Sequence, residues 1–202
     1  MKRQTAILGT ALLTIGFGTP VLANEAGDWL VKAGPYGVLP KSGNSDIANV
    51  DDGFSLGFSG SYFFTDRFAI ELLAALPFSH DIELRDGGAT VADTKQLPPT
   101  LSAQYHFPLS DAARMYVGAG LNYTTFFDES TEGALAGTDL ELDDSFGLAL
   151  QLGADFDLND KWFLNIDVRY IDIETDAKLD GADLTTVEID PWVVGFNIGW
   201  RL

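Results

Sequence analysis

Residues 191–202 run Pro191-Trp192-Val193-Val194-Gly195-Phe196-Asn197-Ile198-Gly199-Trp200-Arg201-Leu202. The even positions Trp192, Val194, Phe196, Ile198, Trp200 and Leu202 are all apolar, while the odd ones are small, polar or charged apart from Val193. Successive side chains of a strand point to opposite faces, so this stretch is a strand with one wholly apolar side. The same alternation recurs at about 28–39, 53–64, 67–78, 97–107, 114–127, 144–157 and 161–174, and the terminal stretch extends over 187–202. Eight strands with an apolar face turned outward are stable where that face meets lipid and every backbone group finds a partner in a closed ladder. The expected fold is therefore all-β: an eight-stranded antiparallel transmembrane β-barrel with short periplasmic turns and long extracellular loops.

Export is the second half of the argument. Lys2 and Arg3 precede an uncharged stretch through Ile7, Leu8, Leu12, Leu13, Ile15 and Phe17, followed by Val21-Leu22-Ala23. That is the layout of a signal peptide over 1–23, and Gly16, Gly18 and Pro20 break its apolar centre too early for a membrane-spanning helix. Residues 24–202 are then expected to form one outer-membrane β-barrel domain, reached by signal-directed export in a Gram-negative cell. Cysteine is absent, so no disulfide supports the fold and no thiol does chemistry. The net charge of −18 becomes −20 once Lys2 and Arg3 leave, since 10 of the 12 basic residues then face 30 acidic ones. Nucleic acid is excluded as a partner on that ground.

Alternation assigns the faces. Outward rows include Trp29, Val31 and Ala33; Phe54, Leu56, Phe58 and Tyr62; Phe68, Ile70, Leu72 and Ala74; Leu101, Ala103, Tyr105 and Phe107. The pattern continues through Val117, Ala119, Leu121 and Tyr123, then Phe146 to Phe156, and then Phe163, Leu164, Ile166, Val168 and Tyr170, where the adjacent Phe163 and Leu164 leave the start of the row open. Connections at 65–66, 108–113 and 159–160 are short, and those at 40–52, 79–96, 128–143 and 175–186 are long. Short turns face the periplasm in such barrels, which places both chain ends there.

Counting inward positions from the periplasmic side brings Lys32, Ser59, Glu71, Gln104, Asn165, Asp167 and Asn197 to similar low heights. Lys32, Glu71, Gln104 and Asp167 are expected to form a polar floor in which Lys32 pairs with Glu71 or Asp167, because a buried charge persists by pairing. Eight strands leave an interior that side chains nearly fill, so this floor obstructs the lumen. Higher up, Leu73, Ala75, Pro77, Phe126, Ala149 and Val193 are apolar, with Tyr36 and Leu97 as rim neighbours. Leu73, Ala75, Pro77, Leu97, Phe126 and Val193 are the residues expected to hold a ligand in a hydrophobic upper lumen, although packing of a small barrel accounts for the same pattern. Arg169 is the misfit, a cation beside that cup. Pro77, Pro98 and Pro99 remove amide donors from two adjacent strands at similar height and mark a candidate lateral gap, or ordinary strand termination.

Several stretches resemble the OmpW family of outer-membrane proteins: Glu71-Leu72-Leu73-Ala74-Ala75 with Pro77-Phe78-Ser79-His80, Leu97-Pro98-Pro99-Thr100-Leu101, and Tyr116-Val117-Gly118-Ala119-Gly120-Leu121-Asn122-Tyr123-Thr124-Thr125-Phe126-Phe127. Tyr170-Ile171-Asp172-Ile173 and Asp190-Pro191-Trp192-Val193 extend the likeness to the end of the chain. The resemblance implies an eight-stranded barrel with a hydrophobic pocket closed toward the periplasm, and passage of small apolar molecules sideways into the bilayer. Leu73 matches a lumen-lining leucine of the family motif, and Arg169 stands where a family member can carry a bulky apolar residue. The chain finishes Trp200-Arg201-Leu202, whereas such barrels commonly end in an aromatic residue read by the outer-membrane insertion machinery.

Three functions follow as expectations. The first is passive uptake of small hydrophobic solutes with lateral release into outer-membrane lipid. The second, lipid-directed catalysis, needs a base, and the two histidines, His80 and His106, fall at opposite ends of the barrel; no enzyme is expected. The third is an interaction barrel whose acidic loops bind ions, lipopolysaccharide or partners. Asp128, Glu129, Glu132, Asp139, Glu141 and Asp143 lie in one loop without a Lys or Arg, but they lack calcium-loop spacing, so neither metal nor cofactor is assigned.

Overall fold

The computed structural model describes residues 24–85 and 88–202, so the expected leader over 1–23 lies outside the described residues. Among them the strands are β1 (Trp29–Leu39), β2 (Ala48–Val50), β3 (Gly53–Phe63), β4 (Phe68–Ala75), β5 (Phe78–Leu84), β6 (Thr90–Leu97) and β7 (Thr100–Ser110). The second half adds β8 (Ala113–Thr131), β9 (Leu140–Leu142), β10 (Ser145–Asp157), β11 (Trp162–Ile171), β12 (Glu174–Leu179), β13 (Ala182–Glu188) and β14 (Trp192–Arg201). Strands β1, β3, β4, β7, β8, β10, β11 and β14 pair antiparallel in that order, and β14 returns to β1 through pairs such as Ala33 with Ile198. The ring is closed, so it has no free edge in lipid.

The outward rows are where alternation put them. Phe58, Leu72, Leu101, Leu121, Leu150, Ile166 and Phe196 are all exposed, and together they wrap the barrel in an apolar band. A water-soluble monomer does not carry a contiguous apolar patch of that size. Aromatic pairs border the band: Trp29 with Tyr62 and Trp162 with Trp200 near the periplasmic rim, and Tyr170 with Trp192 near the outer one. Such rings sit well at the lipid headgroups, one part apolar and the other polar. The row left open at Phe163 and Leu164 starts outward at Leu164: Phe163 faces inward and is fully buried, while Trp162 and Leu164 take the outward places. Gly199, directly opposite on β14, leaves room for its ring.

The long connections also differ from the expectation. Segment 79–96 belongs largely to the hairpin β5–β6, and 175–186 to the hairpin β12–β13, while β2 and β9 form in the other two. The barrel wall thus continues above the membrane as two small sheets, β2–β5–β6 joined to β8 and β9–β12–β13. The reason is solvent. Ser79, Asp81 and Glu83 turn outward from β5 into water, so these strands lack the apolar outer row by which the lipid-facing ones are recognised. Asp180 and Gly181, at φ 51° and 76°, close the β12–β13 hairpin as a two-residue turn of the mirror-image type that matches strand twist.

From the periplasm upward the interior is layered. Arg114 and Arg201 pair with Asp157 at the base. Leu30, Phe63, Ala69 and Phe163 pack above them. Next comes the polar floor, then a cluster containing Tyr36, Val38, Leu73, Phe78, Phe126 and Val193, and finally the space between the two extracellular sheets.

Candidate functional site

The floor is one connected network. Lys32 Nζ lies 2.5 Å from Glu71 Oε2, and Arg169 Nη2 lies 2.7 Å from Glu71 Oε1. Ser59 and Ser61 each donate to Glu71 at 3.2 Å. Arg169 Nε donates to Asp167 at 2.8 Å, and Tyr116 Oη donates to the same carboxylate at 2.9 Å. Gln104 Nε2 donates to Gln151 Oε1 at 3.0 Å, and Gln151 Nε2 in turn donates to Glu71 and Asp167. Lys32, Glu71, Gln104 and Asp167 therefore meet as the inward count places them, and each is buried. Arg169 is corrected: its guanidinium turns down into this network and is not a free cation beside the cup. Parity predicted its face, but the direction of a long side chain along the barrel axis depends on where its carboxylates lie.

Four of the six expected ligand-holding residues come together. Leu73, Phe126 and Val193 are buried in one cluster, with Ala75 packed against it. Tyr36 lies across the bare backbone of Gly57 and Gly195, where a Cβ would meet the ring at 2.4 Å, and so seals the cluster's underside. Pro77 and Leu97 are corrections. Pro77 is exposed, and Leu97 pairs with Thr125 on the outer face while Gln96 takes the inward place opposite Phe126. One extra residue between Leu73 and Phe78, relative to the stretch between Gln96 and Thr100, breaks the alternation that put Pro77 inward, whereas Leu97 keeps the parity of the outward Leu101 and faces outward with it.

Above the cluster lies a cavity of about 140 Å³ between the extracellular sheets. Ile47, Ile82, Leu140, Leu142 and Val187 supply much of its wall, and Phe126 stands at its base. Of the expected ligand residues, Phe126 alone reaches it. Its other lining residues belong to loops and hairpins whose inward rows had been passed over for want of an outer apolar row. Alternation of His80, Ile82 and Leu84 and the Asp180-Gly181 turn were the available signals.

The three prolines lie across one seam. Between the Leu73–Thr100 pair of β4 and β7 and the Phe78–Gln96 pair of β5 and β6, no ladder pair joins residues 74–77 to residues 97–99. The polar groups there turn away from the seam. Leu76 N donates to Leu56 O at 2.8 Å, and Ser55 Oγ donates to the carbonyls of Leu76 and Pro77. On the other side Asn122 Nδ2 donates to the carbonyls of Pro98 and Pro99, both at 3.2 Å, and Tyr123 N donates to Pro99 O. The wall is continuous, but its two halves are not bonded to one another at this height.

The histidines are far apart, as their places in the chain require. His106 is buried near the periplasmic end, stacked on Tyr116 and 3.1 Å from Gln104 Oε1. His80 lies on β5, with Nδ1 2.7 Å from Asp51 O. In the acidic loop Asp128 pairs with Lys95 at 3.0 Å and Asp143 with Lys178 at 2.7 Å. Among the described residues no group of three or more candidate metal ligands assembles.

Known proteins share this architecture. A sequence profile of the OmpW family matches residues 25–202. Outer membrane protein W of Vibrio cholerae is 46% identical, over 98% of this chain and 99% of that one. The crystal structure of OprG from Pseudomonas aeruginosa superposes with a TM-score of 0.81 at 35% identity, covering 90% of this chain and 99% of the other. The solution structure of Escherichia coli Outer Membrane Protein W gives 0.63 at 41% identity, over 88% and 99%. With the closed ring, the lipid-facing band and the profile match all in agreement, the chain belongs to the OmpW family of outer-membrane proteins.

Proposed function

We propose that residues 24–202, freed of a leader ending at Ala23, mediate passive uptake of small hydrophobic molecules and release them sideways into the outer membrane. The observation that carries this reading is an apolar cavity stacked above a charged floor, with the unbonded seam between them in height. A solute enters from outside between the β2 and β13 edges, where Ile47 and Leu184 are exposed. It rests in the cavity against Phe126, displaces the contacts of Leu73 and Val193, and leaves past Pro77, Pro98 and Pro99 into lipid. Apolar contacts yield to an apolar solute at little cost, because the solute replaces what it separates. The floor is different. Passing an oily molecule between Lys32, Glu71 and Asp167 strips buried charges of their partners, which costs several kcal/mol, about 3–5 for one lost partner. The route therefore turns sideways, and no energy source is required.

The proposal assigns no catalysis, since neither histidine stands with a nucleophile. It takes outer-membrane lipid and lipopolysaccharide as the barrel's surroundings and the insertion machinery as the partner that places it there. The interaction-barrel reading is less supported, because Lys95 and Lys178 already occupy two of the loop carboxylates.

Uptake of an alkane-like solute into vesicles with and without the protein tests the reading. The chain has no cysteine, so an Ala74→Cys, Pro99→Cys pair joined by a short bismaleimide would close the seam alone. Uptake should fall to the protein-free rate on cross-linking. Undiminished uptake through the stapled barrel would remove the lateral route.

A further inference from the structure

Above the membrane the wall is joined on one side of the cavity and parted on the other. Where β8 passes into β9 the chain is continuous, Thr131 Oγ1 donates to Thr138 O at 2.8 Å, and Glu132 N donates to Val91 O of β6 at 2.8 Å. On the opposite side β2 pairs with β5 and β13 with β12, and the outer edges of β2 and β13 are left unpaired on either flank of a gap. Ile47, Ala48 and Val50 line the cavity on one flank, and Leu184, Thr185 and Val187 on the other. Among the described residues no hydrogen bond joins 45–50 to 182–187.

One residue ties the two flanks together. Asn44 Oδ1 accepts from Val50 N of β2 at 2.9 Å, Asn44 Nδ2 donates to Glu188 O of β13 at 3.0 Å, and Glu188 N donates to Asn44 O at 2.9 Å. β2 leads into β3 and β13 into β14, and both of those strands descend to the periplasm, so Val50 and Glu188 are the lower ends of the two edges. The tie therefore closes the bottom corner of the gap and leaves its upper part, beside the exposed Ile47 and Leu184, open as a mouth. Asn44 is 3% exposed, so water does not compete for its bonds, and their lengths set how far apart the edges stand. Lys41 steadies the same corner through ion pairs with Glu188 and Asp190.

We propose that Asn44 is a positioning residue that sets the width of this mouth, and with it the largest apolar solute the cavity admits. The inference rests on the uptake reading and deepens it by naming the residue behind its size limit. The cavity of about 140 Å³ suits a single ring, being close to the ~150 Å³ at which an engineered dry cavity accepts benzene. A second, fused ring requires the flanks to move apart. Entry of fluorobenzene and 1-fluoronaphthalene from outside is measured on vesicles with a lipopolysaccharide outer leaflet, as the excess over protein-free vesicles. The wild-type protein should speed fluorobenzene and leave fluoronaphthalene close to the protein-free rate. Asn44→Ala removes both side-chain bonds of the tie and should raise the excess fluoronaphthalene rate about tenfold, the worth of the lost buried hydrogen bonds, with fluorobenzene near its wild-type rate. Asn44→Ser, polar but too short to reach both flanks, serves if the alanine variant does not refold. In either variant a Lys41→Cys, Glu188→Cys pair, whose native side chains meet, should restore exclusion when joined by a short bismaleimide. Equal excess entry of the two solutes through the wild type, or a fluoronaphthalene rate raised in neither variant, overturns the inference and leaves uptake standing. A rise of both solutes alike that the staple does not reverse also overturns it, because that reports a loosened fold and not a wider mouth. No excess entry of either solute through the wild type overturns the uptake reading and this inference together.

Discussion

The lower and upper lumen are filled by the same strands and the same inward row, yet they are closed in opposite ways. On β4, Glu71 and Leu73 are consecutive inward residues. Glu71 holds Lys32 and Arg169 from two other strands, each at a fixed distance and angle. Leu73 holds Tyr36, Phe126 and Val193 by shape alone. A charge network has one satisfied arrangement, and leaving it strands buried charges. An apolar cluster has many arrangements of similar energy if something apolar fills the opening. The molecule thus places a rigid seal and a yielding one within two residues of each other.

The contrast is broken most severely by Glu71→Ala. It leaves Lys32 and Arg169 buried without their shared carboxylate, and the folded barrel should lose about 3–5 kcal/mol in urea unfolding from lipid vesicles. Glu71→Gln, which keeps the volume, should recover only part. If both variants unfold like the wild type, the floor is not a seal held by charge.

Leu73→Ala acts on the yielding half and should cost less, about 2 kcal/mol, at the low end for a buried leucine because the cluster can close around the loss. Its larger effect should be on selectivity, with bulkier solutes gaining relative to slender ones in vesicle uptake. Collapse of refolding with selectivity unchanged would show that the cup is a structural core.

The smallest effect concerns pH. Burial holds the His80 pKa below its usual 6.5, against the opposing pull of Asp51, Asp52 and Asp81. The unfolded segment then takes up a proton in a range where the folded one does not, so stability is full above about 6.5 and declines as pH falls below it. Amide hydrogen exchange in β5 and β6, corrected for intrinsic rates, should quicken between pH 8 and about 5.5, while that in β4 and β11 does not. Equal change in both regions would detach the effect from His80.

How much of this was legible varied with what surrounds each strand. Where lipid is the solvent, the outward row must be apolar, and the eight barrel strands declared themselves, Phe163 apart. The floor residues Lys32, Glu71, Gln104 and Asp167 were legible because a polar residue at an inward position of a narrow barrel has nowhere else to be. The cavity was not. Its walls rise above the membrane, where Ser79, Asp81 and Glu83 face water, and a half-polar hairpin looks like a loop unless turn chemistry such as Asp180-Gly181 is weighed. Pro77 was misplaced because one inserted residue reverses the parity that follows Leu73, and Leu97 because an inward place set aside the parity it shares with the outward Leu101.

Sequence alone determined the membrane barrel, its direction in the membrane and the residues of its polar floor, since these depend only on a period of two and on the solvent outside. Tertiary structure decided where Arg169 turns, how the prolines of separate strands come to flank one seam, and that an apolar cavity opens between the two extracellular sheets. Those outcomes depend on which residues of distant strands stand opposite one another, and that is set by register around the closed ring.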